Sequence, residues 1–272
     1  TGDICGEFSG RFPVRVFGCW MNLDDALQTK LMDAGPAFIR AVQAFDNVAM
    51  KDTSVVLYDM AREVIAQRKA HPLSPETDPV SALLAVRIDQ SGRQLPLPDD
   101  MIIGTVRQVL VVGIVAPMVM VGSMALHLSR DLALHQQLKQ NPALVPAAVE
   151  EFMRLYTPYR GFARTPLKDV EVGGCPIKAG EPVALTYASA NRDEDVFGDP
   201  DRYDPERNAS HNLLYGAGVH VCPGAPLARL ELRLIMQSLL AGTGEIALVP
   251  GSSPQRAAFP ASGFASLPVC IR

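Results

Sequence analysis

The sequence predicts a mainly α-helical fold of the α+β class, with small β-sheets beside a helical body. Three observations carry this. Apolar residues recur at helical spacing over 24–42 and 53–69, and a run from Gln108 to Ser129 holds no Asp, Glu, Lys or Arg. Strand signals are short and confined to 170–188 and to the stretch from 242 onward. With 272 residues, 48% of them hydrophobic, the chain can bury a substantial core, and it is expected to form a single domain over 1–272.

In order along the chain, Asp24-Asp25 and Asp52-Thr53 are start signals for the first two helices, and His71-Pro72 is a stop. They mark a helical pair over about 24–70. Residues 72–79 read as a loop, 80–88 as a short helix and 90–98 as another loop. Asp99 or Asp100 then caps a long helix over about 99–130. Its apolar run meets the length rule for a membrane span. Pro117 interrupts it and no aromatic belt flanks it, so the buried central helix of a large domain explains it better. Pro146 opens a helix over about 146–156 in which Glu151 and Arg154 share a face. Residues 170–177 and 182–188 read as a hairpin with a Gly-Gly turn, an Asp/Pro-rich meander covers 191–212, and 242–250 and 264–269 give terminal strands.

The residue that demands an explanation is Cys222, delivered to a helix start by the glycine-rich loop Tyr215-Gly216-Ala217-Gly218-Val219-His220-Val221-Cys222-Pro223-Gly224. The loop and its helix are placed at 214–241, with Pro226 in the first turn. A cysteine before a helix faces unpaired N–H groups and the positive dipole end, which favours a thiolate able to act as nucleophile or metal ligand. Other readings stand beside this one. A dinucleotide loop would want its last glycine at position 221, which is Val, and a strand ahead of it, which Asn208 to Asn212 does not supply. A zinc site would need more ligands than His220 and Cys222. A lone cysteine is otherwise a buried, inert one.

Tyr215-Gly216-x-Gly218-x-His220-x-Cys222-x-Gly224, followed by Leu227-Ala228-Arg229 and Glu231, resembles the haem-binding loop of the cytochrome P450 family, with Tyr215 in place of the usual Phe. Glu151-x-x-Arg154 is similar to the family's Glu-x-x-Arg helix, and residues 199–207 to its meander. The resemblance implies a bacterial soluble haem-thiolate protein carrying haem b (iron protoporphyrin), with Cys222 as the iron ligand and Tyr215, Gly216, Gly218, His220 and Gly224 around it. It implies that Arg164 and His220 pair with the haem propionates, and that Glu151, Arg154 and Arg207 form a buried network that fixes the cysteine loop. The similarity enters part-way along a family member, at 11–16, so the N-terminal third is expected to be missing, and Phe264 to Val269 is similar to the family's ending.

The resemblance also places 99–130 on the distal side of the haem, where the family has Ala-Gly-x-(Asp/Glu)-Thr. Here Val112-Gly113-Ile114-Val115-Ala116 and then Pro117 stand in its place. Gly113, Ala116 and Pro117 are thus the candidate catalytic positions, and the acid-alcohol pair that relays protons is absent. Neither Val115 nor Ala116 can donate a proton or order a water. Ser123 lies seven residues beyond Ala116, about 10 Å along a helix axis.

The function expected from the resemblance is monooxygenase-type oxidation of a small hydrophobic molecule of the kind made in specialised metabolism, with electrons from a ferredoxin-type partner. Two alternatives remain: peroxide-driven or non-oxidative chemistry (rearrangement, dehydration or cyclisation), and a haem-free remnant with a binding or structural role. Net charge of −4 gives no bulk basic character for nucleic acid, and no membrane partner is expected. Five dispersed cysteines suggest a reducing compartment, hence the cytoplasm. Association with another chain is a further expectation, tied to the missing N-terminal part.

Overall fold

A computed structural model describes residues 1–207, 209–258 and 261–272. Asn208, within the expected meander, lies outside the described residues. The chain forms two compact units, Gly2–Met118 and Val119–Arg272 together with Thr1.

The first unit opens with a short strand, β1 (Gly2–Asp3), and a π-helical turn, Ile4–Ser9. Four helices follow: α1 (Phe12–Trp20), α2 (Asp25–Gln43), α3 (Asn47–Ala70) and α4 (Pro79–Ala85). Asp24 caps α2 by accepting the Leu27 N–H at 2.8 Å. The second cap is not where the sequence placed it. Asp46 accepts from Val48 and Ala49 and starts α3 early, while Thr53 lies inside the helix and donates back to the Ala49 carbonyl at 2.6 Å. Arg68, buried on α3, bonds Asp78 at 3.1 Å and the carbonyls of Met21 and Asn22, tying the α1–α2 turn to the α4 cap.

Residues 90–98 are not a loop. Strands β2 (Arg87–Gln90) and β3 (Arg93–Pro96) pair antiparallel across Ser91-Gly92, whose φ values of 57° and 79° make a left-handed hairpin turn. The short helix before them therefore ends at Ala85 rather than Ile88. Helix α5 (Asp99–Arg130) begins in this unit and remains helical through Pro117.

The second unit holds the rest of α5, then α6 (Leu132–Gln140), α7 (Val145–Tyr156) and, later, α10 (Ala225–Gly242). Helix α10 packs on α6 and α7. Between them run β4 (Phe162–Arg164), β5 (Val170–Val172), β6 (Cys175–Ile177), β7 (Val183–Leu185), α8 (Tyr187–Ala190) and α9 (Glu194–Phe197). The hairpin read over 170–188 closes within 170–177, at Gly173-Gly174, and β7 instead pairs with β4, the strand that carries Arg164. Strands β8 (Ile246–Leu248), β9 (Gln255–Arg256), β10 (Phe264–Ser266) and β11 (Pro268–Ile271) close the chain, with β8 on β11 and β9 on β10.

Among the described residues one helix, α5, is long and apolar enough to cross a membrane, but Leu110, Ile114, Met120, Met124 and Leu128 are fully buried along it. That is the burial of a core helix.

Candidate haem-thiolate site

Glu151 and Arg154 lie one turn apart on α7, which turns both inward. Arg154 grips Glu151 with two parallel bonds, Nε to Oε2 and Nη2 to Oε1, each 2.7 Å. Its remaining donors reach the carbonyls of Asn191 (2.8 Å) and Pro200 (2.9 Å). Glu151 accepts a third bond from the Asp204 N–H at 2.9 Å. Arg207 stands 3.7 Å from Glu151, an ion pair without a hydrogen bond, and its guanidinium donates to the carbonyls of Phe197, Asp199 and Arg202. The meander is thereby wrapped around two buried charges, Glu151 and Arg154, and the half-buried Arg207.

The network continues into the cysteine loop through Asn191. Its Nδ2 donates to Thr157 Oγ1 and to Asn212 Oδ1, while its Oδ1 accepts the Leu213 N–H at 2.8 Å. The loop then turns: Gly216 N–H donates to the Leu213 carbonyl, and Cys222 N–H donates back to the Tyr215 carbonyl at 2.8 Å. Gly216 has φ of 73°, and a Cβ there would stand 2.8 Å from the His220 carbonyl oxygen, so a side chain is excluded on both counts. Tyr215 lies under the Arg229 guanidinium, 4.6 Å away, and Arg229 pairs with Glu150 at 2.6 Å.

Cys222 is half-buried and a free thiol. Tyr159 lies within electrostatic reach of it: burial first, and then the nearness of Cys222, push the Tyr159 hydroxyl up to about 12. The Tyr159 ring packs at 5.3 Å on Phe162, the first residue of β4. Arg164, the last residue of β4, bonds only the neighbouring Ala163 carbonyl among the described residues, and His220 is exposed.

On α5, Gly113 lies against Phe17: an added Cβ would fall 1.8 Å from the ring's Cζ. Gly113→Ala is expected to lower stability by ~1–3 kcal/mol through overpacking. Combination with Phe17→Leu should recover part of that loss in a double-mutant cycle of urea midpoints, and strict additivity would refute the contact. Val115 and Pro117 are buried and Ala116 half-buried. Ser123 is buried and donates to the Val119 carbonyl at 3.0 Å, within its own helix.

The cytochrome P450 family profile matches residues 124–243. Cytochrome P450 109 of Bacillus spizizenii is 35% identical over 247 residues, which cover 88% of this chain and 59% of that protein. The chain belongs to the cytochrome P450 family. Mycinamicin IV hydroxylase/epoxidase of Micromonospora griseorubida is 32% identical, over 88% of this chain and 58% of its own length. This P450 chain thus spans somewhat less than two thirds of the curated relatives it matches. Among solved structures, the open cytochrome P450 EryK from S. erythraea superposes with a TM-score of 0.88 at 28% identity, covering 99% of this chain and 69% of the other. CYP109Q5 from Chondromyces apiculatus gives 0.87 at 27%, covering 99% and 66%. The mainly helical architecture with small sheets is the P450 fold.

The family's cofactor is haem. The residues present fit such a group: a half-buried thiol, exposed apolar side chains at Phe162, Leu185 and Val221, and two cationic or polar donors, Arg164 and His220, without a carboxylate partner among the described residues. A flat apolar ring with a metal centre and acidic arms calls for that donor set. Sequence reasoning missed Tyr159, Asn191 and Phe17, which carry no motif and matter only through what they touch.

Proposed function

We propose that this P450 chain is the haem-thiolate part of a monooxygenase-type oxidoreductase that holds haem b through Cys222 and acts on a small hydrophobic molecule. The observation that carries the reading is the tethering of Cys222 to the Glu151–Arg154–Arg207 network through Asn191, which fixes the thiol in place. Haem, when bound, supplies the one-electron and dioxygen chemistry. The thiolate of Cys222 would donate electron density to the metal, Gly216 and Gly218 shape the loop, Gly224 would keep bulk from the sulfur, and Arg164 and His220 would hold the acidic arms. Hydroxylases and epoxidases among the relatives, the mycinamicin and cyclomarin C enzymes included, support a product of specialised metabolism as substrate class. A ferredoxin-type partner supplies electrons, and the setting is cytoplasmic.

A second reading is favoured by Val115-Ala116-Pro117. A segment without an acid or alcohol delivers no protons of its own, which suits peroxide-driven or non-oxidative chemistry. Ala116→Thr separates the two. A large gain in dioxygen-dependent turnover selects the monooxygenase with an impaired relay, and no gain selects the other chemistry.

The first test is haem content with the absorption spectrum of the reduced carbon monoxide complex. One haem per chain with the red-shifted thiolate band, lost in Cys222→Ala, is expected. No uptake of haem would overturn the reading and select the haem-free remnant.

A further inference from the structure

Tyr215 is the cysteine loop's departure from the family pattern, and its added hydroxyl is engaged. It donates to Met153 Sδ at 3.0 Å, while the Tyr215 carbonyl accepts the Cys222 N–H at 2.8 Å. Met153 is fully buried on α7 and follows Phe152, also fully buried. The Phe152 ring lies 5.0 Å from His127, 5.2 Å from Tyr203 and 6.4 Å from Tyr156. Tyr156 Oη stands 2.6 Å from His127 Nδ1. A phenol bonded to a thioether and, three residues further along α7, a second phenol hydrogen-bonded to an imidazole thus lead away from Cys222. Phenols give up an electron readily and thioethers oxidise to sulfoxides; the chain's one tryptophan, Trp20, is not in this series.

We infer that Tyr215, Met153 and the Tyr156–His127 pair form an oxidation outlet, draining oxidising equivalents from the Cys222 site when no substrate is there to take them. The inference rests on the haem-thiolate reading. Burial holds His127 below its ordinary range and Tyr156 above its own, so the pair stands as a neutral imidazole facing an intact phenol. In one outlet event Tyr156 loses one electron, which passes inward by way of Met153 and Tyr215, and one proton, which moves to His127 Nδ1. A neutral phenoxyl radical and an imidazolium remain. The oxidant is hydrogen peroxide, whose reduction to two waters would take two electrons and two protons: the protons would come from solvent, Tyr156 would give one electron, and the bound haem would supply the other. At Tyr156 the proton stays within the hydrogen bond, so no charged phenol radical has to be formed at that half-buried residue.

The test uses the full chain loaded with haem, checked by the reduced carbon monoxide spectrum, then mixed with hydrogen peroxide without substrate and freeze-quenched for electron paramagnetic resonance. A tyrosyl signal is expected, lost in Tyr156→Phe and largely lost in Tyr215→Phe and in Met153→Leu, with Met153 sulfoxide accumulating in Tyr156→Phe by peptide mass spectrometry. A thiolate band with no protein radical, or a radical of equal yield in Tyr215→Phe and Met153→Leu, overturns the outlet alone. Absence of the thiolate band overturns both the outlet and the haem reading, so the two fail separately.

Discussion

Replacement of Arg154 by leucine is expected to cost about 3–5 kcal/mol of folding stability, because it leaves the Glu151 carboxylate buried without its main partner. Arg154 is 2% exposed and holds both oxygens of Glu151 at 2.7 Å. Without it, Glu151 keeps the Asp204 N–H and an Arg207 charge 3.7 Å away. The meander also loses the guanidinium that ties the carbonyls of Asn191 and Pro200 to α7. Burial, not bond length, sets this size. Arg229 and Glu150 are as close, at 2.6 Å, but their side chains are 41% and 26% exposed. Water screens that pair, so Arg229→Leu should cost under ~1 kcal/mol from the lost ion pair. Urea midpoints for both variants and for Arg154→Lys decide the matter. Lysine keeps the charge but not the two-pronged geometry and should fall between. Equal small losses at 154 and 229 would show that Glu151 finds other partners once Arg154 is gone.

How far the sequence reached is seen best in particular elements. The limits of α5 were legible because Asp99 and Asp100 stand before an uncharged run, and both signals are local. The Cys222 loop was legible because a glycine with positive φ and a helix-opening proline leave marks in the sequence itself. The β2–β3 hairpin was not, because its strands are largely exposed and show no alternation; Ser91-Gly92 was the signal that could have found it. Asp52 was mistaken for a helix start because Asp46, six residues earlier, carries the same capping chemistry. The pairing of β4 with β7, the ring of Phe17 in the notch at Gly113 and the reach of Asn191 to Leu213 join residues distant in sequence. No local pattern records such meetings.

Glu231 is another such residue, and its substitution should give the largest pH-dependent effect. The motif Leu227-Ala228-Arg229-x-Glu231 names it, yet only the fold shows that it is 1% exposed with neither carboxylate oxygen hydrogen-bonded among the described residues. Burial pushes its carboxyl up to about 8, from 4.5. Between those two values the folded chain holds a proton that the unfolded chain has released, so stability falls as pH rises through that window. At about 1.4 kcal/mol per pH unit, the cost at pH 7 is about 3 kcal/mol. Glu231→Gln keeps the shape and removes the titration. Its stability relative to the parent should be near equal at pH 4.5 and exceed it by about 3 kcal/mol at pH 7, read as diverging urea midpoints. A parallel pair of pH profiles would mean that Glu231 is ionised in the fold, held by a partner that compensates its burial. A diverging pair would mean that α10, the helix that follows Cys222, carries a neutral acid in its core, so that the charge behind the cysteine loop depends on pH.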